Sequence, residues 1–219
     1  MTTIGISRRN KFFLLLVAVL LATITSSAQP EDLQTWGMLS ISKKLNKKYT
    51  TSLTSIFRFN DNSSEFSDIN FDYRLTRQLK KGFASQVIFR HWTFLEREPV
   101  YFLWYDFLHV VRQPQHRWVN VIRFHHGLDW VEKERADFVR WRSHYYRNLK
   151  SSNFQPFLGY DLWFRLNGRN DFQMIWLEAG ALYLHKNLKF RLNYRRIQPF
   201  ANQPGWKRNI IVIGLFYSL

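Results

Sequence analysis

The feature that most restricts this chain is a period of two. In 158–166, Leu158, Tyr160, Leu162, Phe164 and Leu166 alternate with Gly159, Asp161, Trp163 and Arg165. In 188–195, Leu188, Phe190, Leu192 and Tyr194 alternate with Lys189, Arg191, Asn193 and Arg195. The same rhythm runs through 49–59, 70–76, 138–146 and 211–219. Successive side chains on a strand point to opposite faces, so each segment carries one apolar and one polar face. Weaker candidates lie at 35–43, 83–94, 101–112, 117–126 and 172–184. Strand 117–126 has an ambiguous face: Arg117 and Arg123 share one with Val119 and Val121, while Asn120 sits beside Trp118, Ile122 and Phe124.

Such segments are long enough to cross the apolar band of an outer membrane, which takes roughly 9–11 tilted residues. Aromatics make up 18% of the chain, with 20 Phe, 10 Tyr and 9 Trp. Charged residues are also plentiful, so the chain is apolar on alternate residues only, the composition of a barrel polar within and apolar without. The connections alternate in character. Lys43, Lys44, Lys47 and Lys48, then Lys80 and Lys81, then Arg112 to Arg117, then Lys150, then Lys186 mark a short basic set. The other set is longer or acidic, with Asp61, Glu65 and Asp68, then Glu96 and Glu98, then Asp129, Glu132, Glu134 and Asp137, then Asp171. Charge that flips with each strand is what a meander gives, because successive turns lie at opposite ends. The basic set reads as periplasmic turns and the acidic set as outer loops. The expected fold is therefore all-β, an antiparallel up-and-down transmembrane β-barrel of about 10–12 strands. The candidate segments number about 11, whereas single-chain bacterial barrels have even numbers, so either 10 or 12 is expected.

Residues 1–28 read as a signal peptide. Arg8, Arg9 and Lys11 precede an apolar run from Phe12 to Thr25, followed by Ser26, Ser27 and Ala28. The run is short for a membrane helix, which needs roughly 20 residues, and the order of charge, apolar stretch and small residues is that of a secretory leader. Cleavage after Ala28 leaves one barrel domain over 29–219. With no cysteine, the exported chain must be held by its core, its hydrogen bonds or a membrane. The net charge of +16 would point to nucleic acid in a cytosolic protein. Export argues against that, and favours outer-membrane lipids or small anionic solutes as partners.

The final stretch, Asn209 to Leu219, resembles the C-terminal signal strand read by the outer-membrane assembly machinery, with Tyr217 two residues before the end. Four further pieces are similar to a family of uncharacterised bacterial outer-membrane proteins, domain-of-unknown-function family 2490. They are Trp36 to Lys48, Phe57 to Asn60, Arg140 to Tyr146 and Pro156 to Trp163. This resemblance implies a barrel and supplies no catalytic residues and no cofactor.

The inward faces carry the most suggestive chemistry. Arg58, Arg74, Arg90, Arg140, Arg142, Arg165, Arg191 and Arg195 fall on them, together with Asp72, Asp106, Asp161 and Glu178. Isolated buried charges cost many kcal/mol, so these groups must pair or stay wet. Two readings remain open: a lumen network that plugs and stiffens the barrel, or an arginine-lined passage favouring anions. No metal site is expected. His125 and His126 are adjacent and face opposite ways on a strand, His91, His109 and His144 add no chelating spacing, and no HExxH pattern occurs. Ser143 and His144 are likewise on opposite faces, and there is no GxSxG elbow. Trp92, Trp118, Trp141 and Trp206 are expected in the interfacial aromatic girdle where they face outward, and Trp104 and Trp163 in the lumen. The expected function is a plugged structural barrel or a narrow anion-biased passage. The alternatives are a lipid- or envelope-modifying enzyme and a soluble periplasmic lipocalin-like binder with a polar outer wall.

Overall fold

The computed structural model describes residues 33–95, 98–128, 137–150, 152–166, 172–200 and 207–219. The segment 1–28, read above as a leader, lies outside them, as do Glu96, Asp129, Glu132, Glu134, Asp171 and Trp206.

Every segment with period-two patterning is a strand. In chain order they are β1 (Leu33–Lys44), β2 (Tyr49–Asn60), β3 (Glu65–Lys80), β4 (Phe83–Phe94), β5 (Val100–Arg112) and β6 (His116–Gly127). β7 (Phe138–Arg147), β8 (Phe154–Arg165), β9 (Phe172–His185), β10 (Leu188–Pro199) and β11 (Arg208–Ser218) complete the set. Each strand pairs with its sequence neighbours in antiparallel register, and the sheet closes on itself. Closure removes the edges that would otherwise expose unpaired backbone groups.

Among the described residues the strands number 11, neither 10 nor 12. An odd meander leaves its first and last strands running the same way, so the closing pair must be parallel. β1 and β11 are parallel from Leu33↔Asn209 to Ser42↔Ser218. Evenly spaced parallel bonds satisfy both strands at little loss per residue, so a barrel can close here without a twelfth strand. Leu33 therefore lies at the end that carries the longer connections, and Leu219 at the end that carries the short basic turns. Both positions are fastened: Ser63 Oγ in the β2–β3 connection donates to the Leu33 carbonyl at 3.1 Å, and the Leu219 amide donates to the Ser42 carbonyl at 2.8 Å.

The short turns are built by local chemistry. In the β3–β4 turn, Gly82 has φ 81, a left-handed conformation that glycine adopts without Cβ strain. Its Cβ position would also meet the Val110 carbonyl oxygen at 2.9 Å. The β2–β3 connection turns through Asp61, Asn62 and Ser63, all at positive φ, and Asp and Asn tolerate that region better than most side chains.

The burial is inverted relative to a water-soluble domain. Asp161 is 0% exposed, whereas Leu192 is 59% exposed. Leu53, Tyr73, Leu103, Ile122, Leu158 and Ile213 are likewise exposed on the outer wall. The interior is layered. Trp36, Ile56, Met174, Ile197, Ile210 and Val212 cluster nearer the loop end. Tyr146, Phe157 and Leu182 cluster nearer the turn end. Most of the buried charges lie between those two apolar clusters.

Candidate functional site

Five inward carboxylates organise the lumen: Asp68 and Asp72 on β3, Asp106 on β5, Asp161 on β8 and Glu178 on β9. The pleat aims each of them inside, and a neighbouring strand supplies its arginine. Arg90 donates from Nε to Asp72 Oδ1 at 2.5 Å and from Nη2 to Oδ2 at 2.9 Å. Arg123 grips Asp106 in the same two-pronged way, at 2.7 and 2.8 Å. Bidentate pairing of this kind fixes geometry as well as charge. Arg74 shares Asp72 at 2.7 Å, and Arg58 holds Asp68 at 3.0 Å. Arg140 and Arg142 both bind Asp161. Arg191 and Arg195 both bind Glu178, each at 2.5 Å, and His144 Nε2 stands 3.6 Å from the same carboxylate.

The guanidinium faces are stacked as well. Arg58 lies between Trp36 and Trp92, 4.4 Å from each ring centre. Arg195 sits over Trp36 and Trp176, and Arg140 over Trp176 and Trp163. Trp163 touches His125, His125 touches Trp104, Trp104 touches Phe102, and Phe102 returns to Trp92. The chain of contacts thus closes on itself. Arg90 and Arg123 add a second tier over Trp104, at 4.1 and 4.2 Å. Cation–π contacts strengthen when desolvated, and these arginines are buried. The recess lined by Val121, Arg123, Arg140 and Arg142 is too small to admit a water molecule.

Trp104 Nε1, His125 Nδ1, Trp163 Nε1 and Arg165 Nε are among the buried polar atoms without a hydrogen-bond partner. Such atoms carry an uncompensated desolvation cost.

The expected inward residues thus come together around the five carboxylates, with one exception. Among the described residues no ion pair involves Arg165; Asp161 is bound instead by Arg140 and Arg142, which reach it from β7. Two members of the network were not legible. Asp68 reads as a loop residue in the sequence, but β3 begins at Glu65 and turns Asp68 inward. Arg123 lies on the strand with the ambiguous face. The structure resolves that ambiguity: Arg117, Val119, Val121, Arg123 and His125 face in. Asn120 faces out and is satisfied by Ser143 Oγ, which donates to its Oδ1 at 2.9 Å and accepts from Trp118 Nε1 at 2.6 Å. Trp92 faces in, so the girdle expectation for outward faces does not reach it, and it donates to Asp68 at 2.8 Å. Trp118 and Trp141 are exposed on the outer wall, and Trp104 and Trp163 are in the lumen.

His125 stacks in the lumen while His126 pairs with Asp137 at 2.8 Å on the outer side. Ser143 and His144 point to opposite sides of the wall, so they do not form a nucleophile–base pair. No group of His, Asp and Glu among the described residues is arranged to hold a metal ion.

No protein-family model, curated protein or solved structure matches this chain.

Proposed function

We propose that this chain is an integral outer-membrane β-barrel whose lumen is closed by the carboxylate–arginine–tryptophan network, a structural barrel and not an open passage. The observation that carries the reading is the inversion of burial: charges fill the interior while Leu, Ile, Phe and Tyr face outward from a closed wall. Monomeric water-soluble proteins rarely expose contiguous apolar surface on this scale, and a soluble lipocalin-like binder would need a polar outer wall. Closure of the sheet is also what lipid demands of a strand-built wall, because hydrocarbon offers no partner to a free edge. In this reading β11 is the strand presented to the assembly machinery, and membership of the 2490 family rests on the sequence motifs.

The test is heat-modifiability in detergent gels of the protein extracted from purified outer membranes. A band that migrates differently before and after boiling is expected. Recovery in the soluble periplasm with no shift would overturn the reading.

A further inference from the structure

The two ends of the barrel are electrostatically unlike, and the turn end is the more extreme. Segments 43–50, 76–83, 111–118, 146–154 and 184–190 contain no Asp or Glu at all. Every Asp and Glu outside the lumen belongs to the other set of connections or precedes β1. Lys43, Lys44, Lys47, Lys48, Lys80 and Lys81 are all exposed, and each of the remaining three turns adds at least one exposed Lys or Arg. Among the described residues none of these six lysines makes an ion pair. The lumen carboxylates cannot serve them, because those are already held by arginines deeper in the barrel.

The position of the basic ring identifies its partner. Immediately inside the turns, the outer wall carries rings from Tyr49, Phe83, Trp118, Tyr145, Phe154 and Tyr217. Lys80 Nζ lies 4.7 Å from the centre of the Phe83 ring, and Arg77 lies 6.0 Å from that of Tyr49. Amphipathic rings of this kind settle at headgroup level. Cations beyond them, at the turns, sit where lipid phosphates lie.

We propose that the turn-end ring is a docking surface for the headgroups of anionic phospholipids, the phosphatidylglycerol type, in the leaflet next to the short turns. This inference rests on the membrane reading above. The partner is a lipid and not a soluble polyanion because the cations encircle the barrel rim instead of gathering in one groove, and because they continue the aromatic girdle.

The test uses the barrel extracted from outer membranes and reconstituted in phosphatidylcholine bilayers that contain a trace of spin-labelled lipid. At low salt, spin-labelled phosphatidylglycerol is expected to associate with the barrel about fivefold more strongly than spin-labelled phosphatidylcholine, the effect of one lysine contact. High salt should abolish the preference, since exposed charges are screened. A variant carrying K43Q, K44Q, K47Q, K48Q, K80Q and K81Q should lose most of it while remaining heat-modifiable. If that variant fails to fold, the salt titration on the unmodified chain decides. Equal association of the two lipids, or a preference that survives high salt, overturns the proposal. A preference for spin-labelled lipid A that the same six lysines carry also overturns it, because the phosphates would then belong to the opposite leaflet. Failure to insert into any bilayer would instead overturn the membrane reading itself.

Discussion

Asp161 is one of three lumen carboxylates that each hold two arginines. It is fully buried and holds Arg140 and Arg142 together. Replacing it leaves two guanidiniums facing each other with no counter-charge between them, and removing one partner of a buried pair typically costs about 3–5 kcal/mol. Asp161→Ala should therefore lower the urea midpoint of the reconstituted barrel substantially, with urea titration followed by heat-modifiability as the measurement. Arg165→Ala should cost clearly less, since Arg165 makes no ion pair among the described residues. Equal losses in the two variants would mean that charge pairing does not set stability here. A second residue is held by shape. The His144 ring occupies the space that a side chain at position 159 would need. Gly159→Ala must displace that ring from Glu178 and from Tyr146, whose hydroxyl lies 3.3 Å from His144 Nδ1. Overpacking of this sort costs about 1–3 kcal/mol, and the same titration reads it. Adding His144→Ala should recover part of the loss, because the space is then free.

At the scale of the strand, alternation made β7, β8 and β10 legible with the correct face inward, because every second position from 158 to 166 or 188 to 195 is apolar. β6 was illegible for a physical reason. Asn120, a polar residue in the middle of its outward face, is satisfied by Ser143 from the next strand, a cross-strand bond that no single segment reveals. Asp68 was hidden by a boundary: β3 begins before its first clearly alternating residue, so a charge that looks like loop is wall. The pairing of β1 with β11 was the least legible element. It joins residues far apart in sequence, and the even-strand expectation argued against it. That pairing is directly testable, because the chain has no cysteine. Leu39 and Leu215 are register partners, and both face out. A Leu39→Cys, Leu215→Cys variant should form a disulfide under mild oxidation, since facing strand neighbours lie within bridging distance. A Leu39→Cys, Ile213→Cys variant, displaced by two residues along the strand, should not. Cross-linking in the second pair and not the first would mean that the closing register is wrong; cross-linking in neither would count against the β1–β11 closure and the count of 11.

For the whole molecule, the central question is what an interior this full does to transport. Eight arginines share five carboxylates in the lumen ion pairs, so the interior carries surplus positive charge. Surplus charge alone makes a selective passage only where water is continuous. Here the indoles of Trp36, Trp92, Trp104, Trp163 and Trp176 occupy the space between the guanidiniums. Charge and steric access are therefore separable, and a pair of substitutions divides them. Trp104 stands between Arg90 and Arg123, and its Nε1 is buried without a hydrogen-bond partner. Trp104→Ala together with Trp176→Ala removes two indoles and no charge. The unmodified barrel in a planar bilayer should pass no steady current. The double variant should pass a small current that favours anions, because the exposed walls are then lined by Arg90, Arg123, Arg140 and Arg195, as charged side chains line selective pores. A steady anion-selective current from the unmodified barrel would revive the passage reading. A cation-selective current from the variant would mean that the carboxylates, not the arginines, face the opened space. Silence from both would place the seal elsewhere in the lumen, in the apolar clusters at its two ends.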